Sequence, residues 1–230
     1  MKSHLYIKHL FGDKRTYLLY LLILLYALNN LFRPLDTDGI SLFFDIHENI
    51  FSISTVTFLL IPLFLLLIEH NAVLFDHHCI ILKMNKKKTW WRSRITYLGI
   101  DIGIFTLFTN GLVLLFSFIL EQPDWQFSTF KSIFLSIVLQ FLGYASLAVL
   151  FTAGKVLTRK TYIGFITAYA IIVLDFLFLQ LSLSINILSN SMFILINGNI
   201  IWLARFFYLL SLFIVITVGS YLLVKDIDFL

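Results

Sequence analysis

Residues 50–68 read IFSISTVTFLLIPLFLLLI and carry no charge. A helix rises about 1.5 Å per residue, so about 20 apolar residues cross a hydrocarbon core roughly 30 Å thick. This stretch has that length and character, and five others share it: 16–32, 96–120, 132–153, 162–181 and 206–224. Their spacing predicts an all-α integral membrane protein with six transmembrane helices, organised as a single transmembrane domain over 1–230. Pro62 lies within the quoted span, where it removes one backbone hydrogen bond and predicts a kink that a bundle interior tolerates.

The composition agrees. The chain is 60% hydrophobic and 17% aromatic, with 25 Phe, and only 13% charged, about half of the roughly 25% charge of soluble domains. Its mean hydropathy is +0.93. A soluble fold of this length cannot hide that much apolar surface, which excludes an ordinary soluble enzyme and a disordered chain. A membrane strand barrel would alternate polar and apolar residues, and these runs do not. Cys79 is the single cysteine, so no intrachain disulfide and no thiolate metal centre is expected.

The placement of Lys and Arg sets the orientation. Lys2, Lys8, Lys14, Arg15, Lys83, Lys86, Lys87, Lys88, Arg92, Arg94, Lys155, Arg159, Lys160 and Lys225 fall on one side of the six spans. Only Arg33, Lys131 and Arg205 fall on the other, together with Asp36, Asp38, Asp45, Glu48, Glu121 and Asp124. Cytoplasmic loops hold the positive excess, so both termini are expected inside, with the first span acting as a retained signal anchor. The net charge of +4 is thus a topology signal against lipid rather than a nucleic-acid surface.

Three polar segments carry the functional information. Residues 1–15 mix Leu5, Tyr6, Leu10 and Phe11 with Lys2, Lys8, Lys14 and Arg15, a pattern that fits a short helix in the interface with its cations toward anionic headgroups. The loop 69–95 reads EHNAVLFDHHCIILKMNKKKTWWRSRI. It is too apolar for a solvated loop, and Lys86, Lys87, Lys88, Trp90, Trp91, Arg92 and Arg94 predict a cytoplasmic interface, with tryptophan at headgroup depth. His70, His77 and His78 do not converge: neighbours point about 100° apart on a helix, and residues two i+4 steps apart lie about 12 Å apart along its axis, so no metal site is expected. The outer segment 182–205 has short apolar runs broken by Asn186, Asn190, Asn197, Gly198 and Asn199. Such runs are too short to span and predict a re-entrant outer segment or a capping loop.

Two acids lie inside spans. Asp101 sits near the expected cytoplasmic boundary, and Asp175 lies past the midplane with Arg205 as a candidate partner. An intramembrane acid costs about 2.5–3.5 kcal/mol on insertion scales and faces the bundle interior by default. Asn29, Asn30, Asn110 and Gln140 are candidates for interhelical hydrogen bonds. The chain holds no G-x-x-x-x-G-K-[ST], no H-E-x-x-H and no G-x-S-x-G, so neither nucleotide binding of the P-loop kind nor catalysis is expected, and no catalytic residue is assigned.

The layout resembles ABC-2-type permeases, the membrane subunits of ATP-binding-cassette exporters with type V exporter-like architecture. The phrase ILKMNKKKTWWRSRITYLG, 81–99, is similar to the loop of permeases from Gram-positive bacteria. The resemblance implies that residues 1–15 form a connecting helix and 69–95 a cytoplasmic coupling loop. Ala72, Val73, Phe75, Asp76, His77, Ile80 and Lys83 would then couple to a separate cytosolic ATPase dimer, which would hold ATP and Mg, with no cofactor in this chain. Asp175, Asn186, Asn190, Asn197 and Asn199 would line the translocation path or its outer gate. A second permease subunit, identical or related, would complete the path, and the location would be a bacterial cytoplasmic membrane. The implied substrate is amphipathic: a peptide or bacteriocin, a drug, or a lipid. Two alternatives stand beside it: a sensor or anchor subunit without a path, and an integral membrane enzyme acting on lipid.

Overall fold

Asp13 starts the first helix. Its Oδ1 accepts the Arg15 N–H at 2.9 Å, satisfying one of the donors that every helix N-terminus leaves open. The computed structural model describes residues 13–31, 42–72, 87–120, 127–183, 188, 192 and 199–225. Within them the chain is helical, with no strand. Helix α1 is Lys14–Leu31 and α2 is the short Leu42–Ile50. Helix α3 covers 53–72 in three pieces: Ile53–Thr55, a π-helical turn Val56–Leu60, and Ile61–Ala72. Then come α4 (Lys87–Leu120), α5 (Phe127–Thr158), α6 (Thr161–Gln180) and α7 (Asn199–Lys225).

The π-helical turn runs into Ile61 and Pro62. Proline has no N–H, and its ring crowds the carbonyl four residues back, which accounts for a widened turn just before it. The two ends of α6 are also set locally. Arg159, in the two-residue link from α5, and Ser182, just past α6, both have positive φ, 57° and 54°. At the far end Ser182 N–H bonds Leu179 O at 3.0 Å and Leu183 N–H bonds Phe178 O at 2.8 Å, the paired closure of a Schellman motif made without glycine.

Five helical stretches among the described residues are long and apolar enough to cross a membrane: Ile46–Ala72, Lys88–Ile119, Lys131–Thr158, Thr161–Gln180 and Ile201–Lys225. The protein is therefore a multi-pass, all-helical chain of membrane character. The expected first span, 16–32, corresponds to α1 and is not among the five. The expected span 162–181 matches α6 to within one residue, while 50–68, 96–120, 132–153 and 206–224 fall short of the helical stretches that contain them. The predicted loop 69–95 loses both ends to helix, because α3 runs to Ala72 and α4 starts at Lys87. The predicted outer segment 182–205 likewise yields its last residues to α7, which starts at Asn199. The physical reason is that apolar length measures the hydrocarbon crossing only, while a helix continues through the interface wherever its residues tolerate it.

The core is centred on α3, α4 and α5. Phe64, Phe105 and Tyr144, one from each, are fully buried and meet in a triangle with ring centroids 5.1, 4.6 and 5.1 Å apart. Helix α5 also meets α6 at close range. A Cβ on Gly164 would lie 2.5 Å from Phe151 O and 2.9 Å from Lys155 N, so only glycine lets the two backbones approach this way. Helices α6 and α7 are covered least: 22% and 17% of their apolar windows are buried, against 61% for the α3 and α5 windows.

Candidate functional site

The ends of the helices sort by charge. His70 Nε2, near the end of α3, lies 2.6 Å from Asp13 Oδ2 at the start of α1. Arg94, near the start of α4, donates from Nη1 to Ala72 O at 3.2 Å. Trp90 and Trp91 pack with Val149 of α5 and Val224 of α7. These contacts gather the start of α1, the end of α3, the start of α4 and the end of α7, with the α5–α6 link following the C-terminal part of α5. Lys14, Arg15, Lys88, Arg92, Lys155, Arg159, Lys160 and Lys225 are carried by those ends.

Within that basic end, three consecutive residues are each tied to a neighbour. His70 faces Asp13, Asn71 Nδ2 donates to Asp101 Oδ1 at 3.1 Å, and the Ala72 carbonyl accepts from Arg94. Asp101 and Arg94 are both 2% exposed. They stand seven positions apart, two turns on one face of α4, and the end of α3 is bound between them. A cation at a helix C-terminus satisfies carbonyls that lack an intrahelical partner. Tyr20 of α1 lies within electrostatic reach of Asp101.

Trp90, Trp91 and Arg94 were expected at the cytoplasmic interface; the structure shows all three buried against neighbouring helices. Their spacing explains it: Trp90, Arg94, Tyr97, Leu98, Asp101 and Phe105 recur at three and four residues and form one buried face of α4. Lys88 and Arg92 remain exposed, and Lys87 opens the helix. Ala72 is buried at the end of α3. Val73, Phe75, Asp76, His77, Ile80, Lys83 and Lys86 lie outside the described residues, as do residues 1–12 expected in the connecting helix. Among the described residues no group of three or more His, Cys, Asp or Glu is arranged to hold a metal ion.

In α6, Asp175 is fully buried. Its Oδ2 accepts the backbone N–H of Leu188 at 2.7 Å, a contact from the outer segment onto α6 that the sequence, with its proposed Arg205 partner, did not suggest. Leu188 and Met192 are buried too, and Met192 N–H bonds Leu188 O at 3.2 Å. A Cβ on Gly143 of α5 would collide with the Met192 side chain, so Met192 occupies the space that this glycine leaves. Leu188 therefore lies against α6 and Met192 against α5. Tyr208 of α7 lies within electrostatic reach of Asp175. Asn186, Asn190 and Asn197 lie outside the described residues, and Asn199 opens α7.

A third polar group runs through the core. Asn110 Nδ2 donates to Gln140 Oε1 at 2.6 Å and to Thr106 O at 2.9 Å. Gln140 Nε2 donates to Ser136 Oγ at 3.1 Å, and Ser136 Oγ lies 3.4 Å from His47 Nε2. Asn110 and Gln140 were candidates for interhelical bonds; His47 and Ser136 were missed. The signal for His47 was present, since Phe43, Ile46, His47 and Ile50 repeat at helical spacing inside what reads as an acidic outer loop.

No protein family, curated protein or solved structure matches the chain.

Proposed function

We propose that this chain is the membrane-spanning permease subunit of an ATP-binding-cassette exporter of the ABC-2 type. In this reading α1 is the first of six spans, the basic end of the bundle faces the cytoplasm of a bacterial cell, and both termini lie there. The observation that carries the reading is the outer segment: its backbone at Leu188 is bonded to the buried carboxylate of Asp175, and Met192 is seated beside Gly143. Non-helical backbone at membrane depth is tolerated where it is buried in protein or lines a cavity, as expected of a re-entrant outer gate. The charge asymmetry and the 81–99 phrase support the same reading. The interior of the single chain is filled by Phe64, Phe105 and Tyr144, so the path runs between this subunit and a second permease. A cytosolic ATPase dimer with ATP and Mg supplies the work through the segment that follows Ala72. The substrate class is an amphipathic peptide or drug, or a lipid.

The test is co-purification from native membranes followed by ATPase assays in lipid nanodiscs. The expected result is an associated ATPase whose turnover falls about tenfold or more when Phe75 and Ile80 are both replaced by alanine, the size of effect that loss of buried contact side chains has at an interface. A chain that purifies without any ATPase, or a turnover that the double substitution leaves unchanged, sinks the reading.

A further inference from the structure

The three ties at the end of α3 involve consecutive residues and two different helices. His70 reaches back to Asp13, which also caps α1 through its other carboxylate oxygen. Asn71 and the Ala72 carbonyl are held by Asp101 and Arg94 of α4. The α4 ties are made by two buried charges, Asp101 and Arg94, and a partner removed from such a network leaves an uncompensated polar group in a low-dielectric site; the His70–Asp13 tie is part-buried. The next residue begins the segment 73–86, and α4 resumes at Lys87. The helix end that leads into that segment is the place where α1, α3 and α4 are fastened together.

We propose that Asp13, His70, Asn71, Arg94 and Asp101 are positioning residues that form a clamp, making the neighbouring ends of α1, α3 and α4 move as one body. The clamp itself stands on the geometry above; its use as the route by which the ATPase partner moves the spans rests on the transport reading.

The experiment uses the full chain in lipid nanodiscs with Cys79→Ser and a single reporter, Ala72→Cys. Ala72 is 2% exposed and its tie to Arg94 runs through the backbone, so the reporter leaves that tie in place. The readout is the labelling rate by a membrane-impermeant maleimide. His70→Ala breaks the α1 tie and Asn71→Leu breaks one α4 tie. Each is expected to speed labelling about tenfold, and the double variant no more than either single, because ties of one cooperative unit are not additive. Ala148→Cys, fully buried in α5, stays unlabelled in every variant and reports that the fold is intact. A rate unmoved by His70→Ala, or a double variant whose effect is the product of the singles, overturns the clamp. ATPase stimulation lost in the same variants supports the clamp as the route. Altered labelling with unaltered stimulation overturns that route and leaves the permease reading standing.

Discussion

Gln140 is fully buried and has four hydrogen-bonding valences to place. It accepts from Asn110 of α4 and donates to Ser136 one turn back on its own helix, so one amide joins two helices and orients the hydroxyl beside His47. In a bilayer such bonds average about 0.6 kcal/mol and reach about 1.7, because the separated helices also find partners. Asn110 keeps its bond to Thr106 O when Gln140 is lost, which limits the damage. Gln140→Leu is therefore expected to destabilise the bundle by about 1 kcal/mol, and Asn110→Leu added to it by little more, since removing both partners leaves no orphan. Reversible unfolding in mixed micelles measures this. A loss of several kcal/mol for the single variant, or additive losses for the two, would contradict the network as drawn.

At the scale of elements, the sequence reading succeeded where a helix is defined by what it buries in lipid and failed where it is defined by what it touches. Apolar length located α3 to α7, because hydrocarbon thickness sets that length whatever the partners. It missed α2, whose helically spaced Phe43, Ile46, His47 and Ile50 sit among acids, and it did not show the contacts that bury Trp90, Trp91 and Arg94, because tryptophan and arginine at a boundary read as interface anchors. Burial of Arg94 depends on Ala72 O and on the polar residues around Asp101, long-range partners that no window of sequence displays. The α5–α6 contact was equally hidden: Gly154 and Gly164 are ordinary glycines until the helices cross there. Gly164→Ala puts a methyl against the Phe151 carbonyl and the Lys155 amide, backbone atoms that cannot step aside. The expected cost is about 1–3 kcal/mol, the range for overpacking a tight interior, with α6 displaced from α5. Gly103→Ala is the control, since its nearest neighbour would be a Phe141 ring carbon at 3.9 Å. Equal stabilities for the two variants would show that the approach at Gly164 is not close.

For the whole molecule, the distribution of charge and the packing of ends bear on the same question from separate directions. The sequence assigned sides by counting Lys and Arg in loops, a rule about insertion that knows nothing of contacts. The folded chain joins α1 to α3 through Asp13 and His70, α3 to α4 through Ala72 and Arg94, and α4 to α7 through Trp90, Trp91 and Val224. These links collect the basic ends at one end of the bundle without reference to a membrane. The polar core around Gln140, by contrast, was legible only as isolated amides, because hydrogen-bond partners thirty or more positions apart are fixed by helix packing. The agreement on ends makes a topological prediction with three reporters. Lys88 at the start of α4, Arg159 in the α5–α6 link and Lys131 near the start of α5 are all exposed. Single cysteines at these positions, in a Cys79→Ser background and in sealed membrane vesicles of known sidedness, should divide two to one. Lys88→Cys and Arg159→Cys react with an impermeant maleimide from the cytoplasmic face, and Lys131→Cys from the opposite face. Lys131→Cys labelled from the same side as the other two would mean that α5 does not cross the bilayer, and with it both the orientation and the outer position of the Asp175 contact would fall.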